Sequence, residues 1–421
     1  MKILVLSLIF SPDNVSTAQI WAGIAGDAAA AGHDVRVLST TPHFHRDPGM
    51  EAEQPIRNWL WRFVRRSEYR GIPVYHVWMP DKSVWPPLRM LSWVWFHAAA
   101  TLLGWFMRFR PDVVVAPSPP LTIGVNAWAI AAVRRAKFVY NVQEIYPDIA
   151  VNLGVMKNRA LIGFFSRMER FIYRKAAAVT SITPSMCAKI ASRTAPEKVR
   201  LVPNFVEMPD SPPPERDNPF AREFSLRGRF VVAYAGNMGV PQRLGALVEL
   251  ARAEPGLTVL FAGGGGDEKR LRESAAGLPN VVFAGYQPIS RMPEIYAACD
   301  IFYVGQDPQA GADGIPSKIY RILGNGKPLA VLADPGSDLA RFAAESGGGV
   351  LLDGNPAAAA EQIRSLMREP ARLAALAEAG RAHVSRSFSR SAVSRMYMDL
   401  FEESARPAPA EKGKTDDGVR C

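Results

Sequence analysis

The sequence predicts two α/β domains, each a doubly wound, Rossmann-like parallel sheet, facing each other across a cleft. Three observations support this prediction. The chain has 421 residues, more than one hydrophobic core usually organises. Short apolar runs alternate with longer segments of helical periodicity, which is the pattern of parallel sheets. Glycine-rich or polar loops follow many of these runs, and ligands bind where parallel strands end in this way.

Changes in composition predict the domain boundaries. A polar, proline-rich segment containing the letters SPPPERDNP lies between the two halves and predicts a hinge linker. The polar end of the chain predicts a disordered tail. The predicted divisions are a first domain at residues 1–206, a linker at 207–228, a second domain at 229–385, a final helix at 386–404 and a tail at 405–421.

Positive charge is concentrated in the first domain. The formal net charge of the chain is +10, and residues 1–206 contain 25 Lys and Arg against 13 Asp and Glu. The remaining residues contain 25 against 27. This distribution is typical of a protein with an anionic partner, either a membrane surface or a nucleic acid. Because the sequence has no recognition helix, zinc-ligand spacing or RNA-binding signature, we expect an anionic membrane surface and no nucleic acid.

Several other functions are disfavoured by motifs that the sequence lacks. Residues 11–16, after the first predicted strand, contain no glycine, so the fingerprint of a nicotinamide enzyme is absent. No Walker lysine motif occurs either. The cysteines are few and scattered, which predicts no disulfide framework and no metal site, and is typical of a reducing compartment such as the cytoplasm. The opening letters MKILVLSLIF are interpreted as a buried strand rather than a signal peptide, because a turn and a helical pattern follow.

The first domain is predicted to begin with the strand Ile3–Phe10, the helix Thr17–Ala31 and the strand Val35–Ser39. The loop after the first strand lies at a ligand-binding edge, so we expect it to contact the acceptor. An N-cap role for Ser16 is the alternative. The acceptor-binding candidates in this loop are Asn14, Ser16 and Thr17.

Residues 84–108 form the most apolar stretch of the chain. They could span a bilayer, lie in the membrane interface, or pack as a core helix under the sheet. A spanning helix would separate two strands of one predicted sheet, so the interfacial interpretation is favoured. Trp93, Trp95 and Trp105 would then lie near the lipid headgroups, with nearby arginines on lipid phosphates.

Two later strands, Asp112–Ala116 and Phe138–Val142, end at the same predicted edge as the first. Carboxylates at such an edge suit a general base or a group that binds an acceptor hydroxyl, and a capping or ion-paired role is the alternative. The sequence does not rank one carboxylate above the other. The candidates are Ser118 and Gln143 for acceptor binding, and Glu144 and Asp148 for catalysis.

In the second domain, a glycine loop follows the strand Phe230–Ala235, and the next helix is predicted over Gln242–Ala253 with Arg243 in its first turn. Another glycine loop follows the strand Thr258–Ala262. Backbone N–H groups in such loops bind anions. The donor-binding candidates in these loops are Gly236, Asn237, Gly239, Gln242, Arg243, Gly263 and Gly264.

The stretch Gly311–Pro328, with the letters GADGIPSKIYRILGNGKP, places a glycine-rich loop before a short helix. Lys318 falls in the first turn of that helix, where the helix dipole disfavours a cation. We therefore expect an anionic partner, a diphosphate, and a solvated lysine is the alternative. The further donor-binding candidates are Gly314, Ile315, Pro316, Ser317 and Arg321.

Seven segments resemble the family 4 glycosyltransferases of the two-domain GT-B fold, and particularly bacterial enzymes of the colanic-acid and fucosamine-transfer type. The likeness covers about residues 2–400. The segments are SPPLTIG at 118–124, NVQEIYPD at 141–148, VPNFVE at 202–207, YAGNMGVPQRL at 234–244, NVVFAGY at 280–286, CDIFYV at 299–304 and IPSKIYRILGNGKP at 315–328.

The resemblance implies transfer of a sugar from a nucleotide diphosphate sugar to an acceptor hydroxyl, with retention at the anomeric carbon and without a metal or other cofactor. The donor would bind the second domain. Two glutamates that flank the donor sugar and ribose in the family correspond to Asp313 and Arg321, so the second charge is reversed and Lys318 gains weight as the diphosphate cation.

Other family positions also differ in this chain. Asn237 and Gln242, with Arg243 beside them, stand where many members have an Arg and a Lys. A first-domain histidine of many members corresponds to Gln143 or Glu144. Ser16, Thr17 and Ala18 replace the paired glycines of the first loop.

The combined prediction is a cytoplasmic glycosyltransferase, peripherally associated with the inner face of the cytoplasmic membrane and acting on a lipid-linked saccharide in surface polysaccharide biosynthesis. Two alternatives stay open: a non-catalytic scaffold with a degenerate donor site, and a nucleotide-sugar epimerase on the same fold.

Overall fold

The computed structural model describes residues 1–44, 46–60, 63–80, 86–152, 154–209, 213–307 and 314–406, and only the backbone of residues 86–89. The chain divides into two units: residues 1–180 with the described residues from Met396 onward, and residues 181–395. Residues 84–85 of the predicted apolar helix, residues 210–212 of the predicted linker and residues 407–421 of the predicted tail lie outside the described part.

The first sheet is built from strands that alternate with helices along the chain. Its strands are β1 (Lys2–Leu6), β2 (Asp34–Thr40), β3 (Arg57–Leu60), β4 (Val64–Tyr69), β5 (Ile72–Val77), β6 (Val113–Pro117), β7 (Lys137–Val142), β8 (Ala178–Ser181) and β9 (Val199–Leu201). The helices in this part are α1 (Ser16–Ala30), α2 (Pro48–Glu53), α3 (Pro86–Phe106), α4 (Ile123–Arg134), α5 (Asp148–Asn152), α6 (Arg159–Lys175) and α7 (Pro184–Ala191).

Among the described residues, this sheet has nine strands in the order β3-β4-β5-β2-β1-β6-β7-β8-β9, and the unit boundary falls within β8. β1 pairs in parallel with β2 and with β6, and every residue of β6 is buried. Strands that are apolar on both faces are typical of parallel sheets covered by helices. The carboxyl ends of β1, β6 and β7 therefore lie at one edge of the sheet and their amino ends at the other.

Helix α3 connects the carboxyl end of β5 to the amino end of β6, so it runs from one edge of the sheet to the other. One face contacts α4: His97 Nδ1 lies 2.6 Å from Asn126 Oδ1, and Trp105 Nε1 donates to the carbonyl of Ala129 over 3.0 Å. Its large exposed apolar side chains are Met90, Leu91, Trp93, Val94, Trp95, Leu102 and Phe106.

The helix thus has a packed face and an exposed apolar face. Trp105, which we expected near lipid together with Trp93 and Trp95, is instead half-buried against α4. Within the described residues, no helix has the length and apolar character needed to cross a membrane. An interfacial position for α3 stays a prediction.

The second sheet repeats the alternation of strands and helices. Its strands are β10 (Phe230–Ala235), β11 (Leu257–Ala262), β12 (Val281–Gly285), β13 (Ile301–Gly305), β14 (Leu329–Leu332) and β15 (Gly349–Leu351). The helices of this half are α8 (Pro219–Glu223), α9 (Gly245–Ala253), α10 (Glu268–Ser274), α11 (Met292–Ala298), α12 (Lys318–Gly324), α13 (Asp338–Ser346), α14 (Pro356–Arg368) and α15 (Pro370–Ser387). Helix α16 (Arg390–Ala405) begins in the second unit and belongs to the first from Met396 onward.

The described strands of this sheet are parallel and follow the order β12-β11-β10-β13-β14-β15. Successive residues of β10 enter the cores on opposite faces: Val231 and Ala233 on one, Val232 and Tyr234 on the other. The strand order reverses between β10 and β13, and ligands of doubly wound sheets bind at the carboxyl ends beside such a reversal.

Two predictions about the first loop are wrong. The strand predicted over Ile3–Phe10 ends at Leu6, and the Ser7 hydroxyl donates to the carbonyl of Ile9 over 2.7 Å in the turn that follows. Ser16 is not the N-cap of α1. It is the first helical residue, and Val15 occupies the cap position without a side-chain hydrogen bond.

Candidate functional site

The candidate donor site lies at the carboxyl edge of the second sheet, where two glycine loops touch. Gly263 has a φ of +137°, and a Cβ on it would lie only 2.0 Å from the carbonyl oxygen of Gly236. Gly236 N donates to Ala262 O over 2.9 Å, and Met238 N donates to Gly264 O over 2.8 Å. Glycine is therefore required at Gly263 for the two loops to approach. The structure brings together the loop residues that the sequence proposed.

Gln242 fixes the first of these loops from within. Its side-chain Oε1 accepts a hydrogen bond from Gly239 N over 3.0 Å. A Cβ on Gly305, at the end of β13, would lie 2.2 Å from the carbonyl oxygen of Gln242. The segment after β10 is thus held against the end of β13 by backbone contact.

Arg243 does not lie in the first turn of a helix, as we expected from the sequence. Residues Val240–Gln242 form a 3₁₀ turn, Arg243 adopts a left-handed conformation with φ 49°, and α9 begins only at Gly245. The carbonyl of Arg243 accepts a hydrogen bond from the Tyr303 hydroxyl over 2.9 Å. Burial raises the pKa of Tyr303, and the positive charge of Arg243 partly offsets this effect. The Arg243 side chain is half-buried.

Lys318 is the first residue of α12, in the first turn as predicted. Its Nζ lies 3.9 Å from the centroid of the Tyr234 ring, and a Cβ on Gly236 would lie 3.7 Å from the same Nζ. Burial lowers the pKa of Lys318 to about 8. Among the described residues, Lys318 forms no ion pair with a carboxylate. A poorly hydrated cation beside glycine loops is an arrangement that favours an anionic ligand.

The segment around Lys318 holds the other donor candidates. The carbonyl of Gly314 accepts a hydrogen bond from Gln306 Nε2 over 2.8 Å, which ties this segment to the end of β13. Arg321 is exposed, one turn beyond Lys318. Burial raises the pKa of Tyr296 to about 12, and the positive charge of Arg321 partly offsets this rise. Gly311 and Asp313 lie outside the described residues.

The candidate acceptor edge in the first unit joins residues from β6 and β7. Gln143 N donates to Ser118 Oγ over 3.2 Å, and Gln143 Nε2 donates to Asn141 Oδ1 over 2.7 Å. Glu144 is exposed, whereas Asp148 is half-buried in the first turn of α5. Ser118 and Gln143 are therefore in contact, and the ranking of the two carboxylates stays open.

In the loop after β1, the side chain of the acceptor-binding candidate Asn14 is engaged with other side chains of the first unit. Asn14 Nδ2 donates to Asp47 Oδ2 over 3.1 Å, and its Oδ1 accepts from Gln19 Nε2 over 2.6 Å. Both ends of this amide are thus hydrogen-bonded within the unit. Ser16 is exposed and Thr17 is half-buried at the start of α1.

A buried carboxylate that sequence reasoning missed, Asp13, organises this edge. Its Oδ2 accepts hydrogen bonds from His43 N over 3.1 Å and from Phe44 N over 2.9 Å. His43 Nδ1 lies 3.1 Å from Thr40 Oγ1 and 3.0 Å from Thr41 O. The position of Asp13 in a polar loop after the first strand was a usable signal, but nothing in the sequence linked it to His43.

A second histidine near this edge, His76, contacts protein atoms through both ring nitrogens. His76 Nδ1 lies 2.8 Å from Thr40 O, and its Nε2 lies 2.7 Å from Ser67 Oγ. Burial lowers the pKa of His76 to about 4, so the ring is neutral at physiological pH. No group of three or more potential metal ligands occurs among the described residues.

Two doubly wound units, with a cationic, glycine-lined strand edge in the second, define the GT-B class of fold. The profile described as "Glycosyl transferase 4-like domain" matches residues 10–204, and that described as "Glycosyl transferases group 1" matches residues 229–369. The chain belongs to the family 4 glycosyltransferases.

Individual relatives agree with this assignment. The chain is 24% identical to the putative colanic acid biosynthesis glycosyl transferase WcaI of Escherichia coli K12, over 81% of this chain and 86% of that protein. It is 26% identical to the alpha-galactosylglucosyldiacylglycerol synthase of Streptococcus pneumoniae, over 60% and 65% respectively. The crystal structure of Anabaena HepE in complex with UDP covers 96% of this chain and 100% of that chain, with a TM-score of 0.68 and 15% identity.

Proposed function

We propose that this glycosyltransferase is a retaining enzyme of the hexosyltransferase type. It transfers a sugar from a nucleotide diphosphate sugar to a lipid-linked saccharide during surface polysaccharide biosynthesis. It works in the cytoplasm, peripherally bound to the inner face of the cytoplasmic membrane. The observation that carries the donor part of this proposal is the half-buried Lys318 beside the glycine loops.

The charge and backbone of the second unit support a diphosphate ligand. Lys318 is held over the Tyr234 ring and, within the described residues, has no carboxylate partner. Burial without such a partner lowers the pKa of the Lys318 amine to about 8, and a bound diphosphate would stabilise the charged form. HepE, with the same fold, has been crystallised with UDP and with UDP-glucose. We assign Gly236, Asn237, residues 314–317 and Arg321 to the donor site.

In this mechanism the protein mainly stabilises the leaving diphosphate. Lys318, Arg243 and the loop N–H groups face the charge that develops as the glycosidic bond to the nucleotide breaks. The acceptor hydroxyl attacks the face that the nucleotide leaves, which retains the anomeric configuration. Its proton passes to the departing phosphate, or to Glu144 or Asp148. Asp313 is assigned to the donor sugar by its match to the family motif.

Two features of the first unit support the proposal of a lipid-linked acceptor. Helix α3 exposes a run of apolar side chains, and the Phe63 ring of the neighbouring hairpin lies 5.4 Å from the ring of Trp95. Exposed apolar side chains in a basic domain favour an anionic membrane surface. The relative from Streptococcus pneumoniae carries diacylglycerol in its name, and WcaI is named for colanic acid biosynthesis.

The test is titration of the purified chain with UDP, GDP and their sugars, followed by a transfer assay with lipid-extract acceptors and mass spectrometry. We expect saturable nucleotide diphosphate binding and a product heavier by one sugar residue. No nucleotide affinity would indicate the scaffold alternative. Conversion of the nucleotide sugar without any acceptor would indicate an epimerase.

A further inference from the structure

A basic cavity lies at the amino edge of the first sheet. Its volume is about 440 Å³, and it lies between the starts of β1 and β2 on one side and the end of α3 with the segment that follows on the other. The cationic residues that line it are Lys2, Arg36, Arg108, Arg110 and Arg134. Asp34 is the carboxylate in the lining. Volumes of about 300–1,000 Å³ are typical of small-molecule sites.

Part of this lining is held rigidly. Arg134 Nε donates to the carbonyl of Gly104 over 2.9 Å, and the guanidinium of Arg36 lies 4.4 Å from the centroid of the Phe109 ring. Arg36 Nε is buried and, among the described residues, has no hydrogen-bond acceptor; Asp34 Oδ1 is 3.9 Å away. A buried cationic donor without an acceptor favours an anion in the cavity.

The position of the cavity separates it from the glycosyl transfer site. Lys2 and Asp34 begin their strands, whereas the candidate acceptor residues follow strand ends. A five-residue strand is about 16 Å long, so the cavity and the acceptor edge lie at opposite ends of the sheet. The cavity therefore takes a ligand other than the transferred sugar or its acceptor hydroxyl.

The end of α3 connects the cavity to the exposed apolar face. Phe106 lines the cavity and is 79% exposed. Along the same helix Leu102 and Val94 are also exposed. An anion-binding cavity is thus continuous with an apolar surface, which is the arrangement that an amphipathic lipid requires.

We propose that this cavity binds the phosphate headgroup of an anionic phospholipid, with the acyl chains lying along the exposed face of α3. This inference rests on the proposed membrane association. The excess of cations over carboxylate in the lining favours an anionic headgroup over a zwitterionic one. A lipid bound here would fix the orientation of the first unit on the membrane and leave the acceptor edge free.

The test uses short-chain lipids below their micelle concentration, so that no membrane is present. Dihexanoyl phosphatidic acid is titrated by calorimetry into the full chain, with dihexanoyl phosphatidylcholine and inorganic phosphate in parallel. We expect saturable one-to-one binding of phosphatidic acid, and at least about tenfold weaker binding of the other two ligands. The variant Arg108→Gln/Arg110→Gln should weaken phosphatidic acid binding at least about tenfold. The variant Arg368→Gln/Arg381→Gln removes two exposed arginines of the second unit and should bind as the wild type does.

Each result decides a different statement. Equal affinity for phosphate and phosphatidic acid, or equal binding by both double variants, would overturn the headgroup assignment. The same outcome together with vesicle pelleting of the wild type would leave membrane association intact. Absence of wild-type pelleting would refute membrane association itself. The Arg108→Gln/Arg110→Gln variant should bind UDP as the wild type does, because the substitutions leave the donor site untouched.

Discussion

The side chain of Asn141, at the end of β7, donates a hydrogen bond to the hydroxyl of Tyr397 over 3.0 Å, although 256 positions separate them. Its Nδ2 also donates to Thr180 Oγ1 over 3.0 Å, and its Oδ1 accepts from Gln143 Nε2. Tyr397 further contacts the Trp21 ring edge-on, with centroids 5.1 Å apart. Asn141 therefore links α16 to the side chain of Gln143 at the acceptor edge.

Replacing Tyr397 by Phe tests this connection. The change leaves a buried amide N–H short of one acceptor, so we expect the free energy of unfolding to fall by about 1–2 kcal/mol. Reorientation of Gln143 should lower kcat/KM for the acceptor and leave the Kd for UDP unchanged. Tyr286→Phe is the matched control, because Tyr286 is 86% exposed. Identical thermal unfolding and kinetics of the two variants would contradict the proposed role.

Lys318 should carry the affinity for the diphosphate. Lys318→Gln removes the cation beside Gly236 and keeps a polar side chain, so we expect kcat to fall about 10²–10³-fold. UDP binding measured by calorimetry should weaken in parallel. Lys269→Gln removes an exposed lysine of the same unit and should have little effect. Full activity in the Lys318→Gln variant would exclude Lys318 from the donor site.

The pH dependence of nucleotide binding gives an independent measure of Lys318. Burial lowers its pKa to about 8, so the free protein carries the charged amine below that pH and loses it above. UDP affinity should therefore decline as the pH rises from about 7 through 8. Lys318→Arg stays charged throughout, so its affinity should not decline in this range. A wild-type affinity without any such decline would show that the amine does not bind the diphosphate.

The residues of the candidate donor site whose placement after a strand or at a helix start could be predicted have local signals in the sequence. The signal is a glycine directly after a predicted strand for Gly236 and Gly263, and a lysine at a predicted helix start for Lys318. The conformation of Arg243 was not predicted, because a 3₁₀ turn followed by a left-handed residue leaves the same apolar periodicity as a continuous helix. The contact between Asn141 and Tyr397 could not be predicted, because long-range side-chain contacts leave no pattern in one sequence.

The same limit, that one sequence carries no signal for long-range contacts, applies to predictions about the first unit. Strands β1, β2, β6 and β7 could be predicted from apolar runs. The antiparallel hairpin β3–β4 could not, because aromatic and arginine residues mixed along it show no clean alternation. The buried group formed by Asp13 and His43 depends on loops 30 positions apart. That contact is set by packing that only the folded chain reveals.

Gly263 provides a test of the loop contact. Alanine there would place a Cβ 2.0 Å from the carbonyl oxygen of Gly236 and would also have to adopt a φ of +137°. We expect Gly263→Ala to lower the free energy of unfolding of the second unit by more than about 2 kcal/mol and to abolish UDP binding. Gly266→Ala is the control, because its Cβ would meet nothing within 4 Å. Equal UDP affinity in both variants would place the ligand away from these loops.

The exposed face of α3 provides the test of membrane association. Leu91 and Val94 are 68% and 67% exposed, so Leu91→Ser/Val94→Ser removes little packing within the protein and should leave thermal unfolding nearly unchanged. If these side chains enter lipid, each contributes about 1.5–3 kcal/mol to membrane partition, and the double variant should bind anionic vesicles at least about 100-fold less tightly.

The matched control for this experiment is Ile289→Ser/Leu351→Ser, which removes two exposed apolar side chains from the second unit. Trp105→Phe should behave in the opposite way to the α3 surface variant. It loses the hydrogen bond to Ala129 and should lower the free energy of unfolding by about 1 kcal/mol, with vesicle binding retained. Vesicle binding that is insensitive to Leu91 and Val94 would mean that charge alone, rather than α3, holds the protein at the membrane.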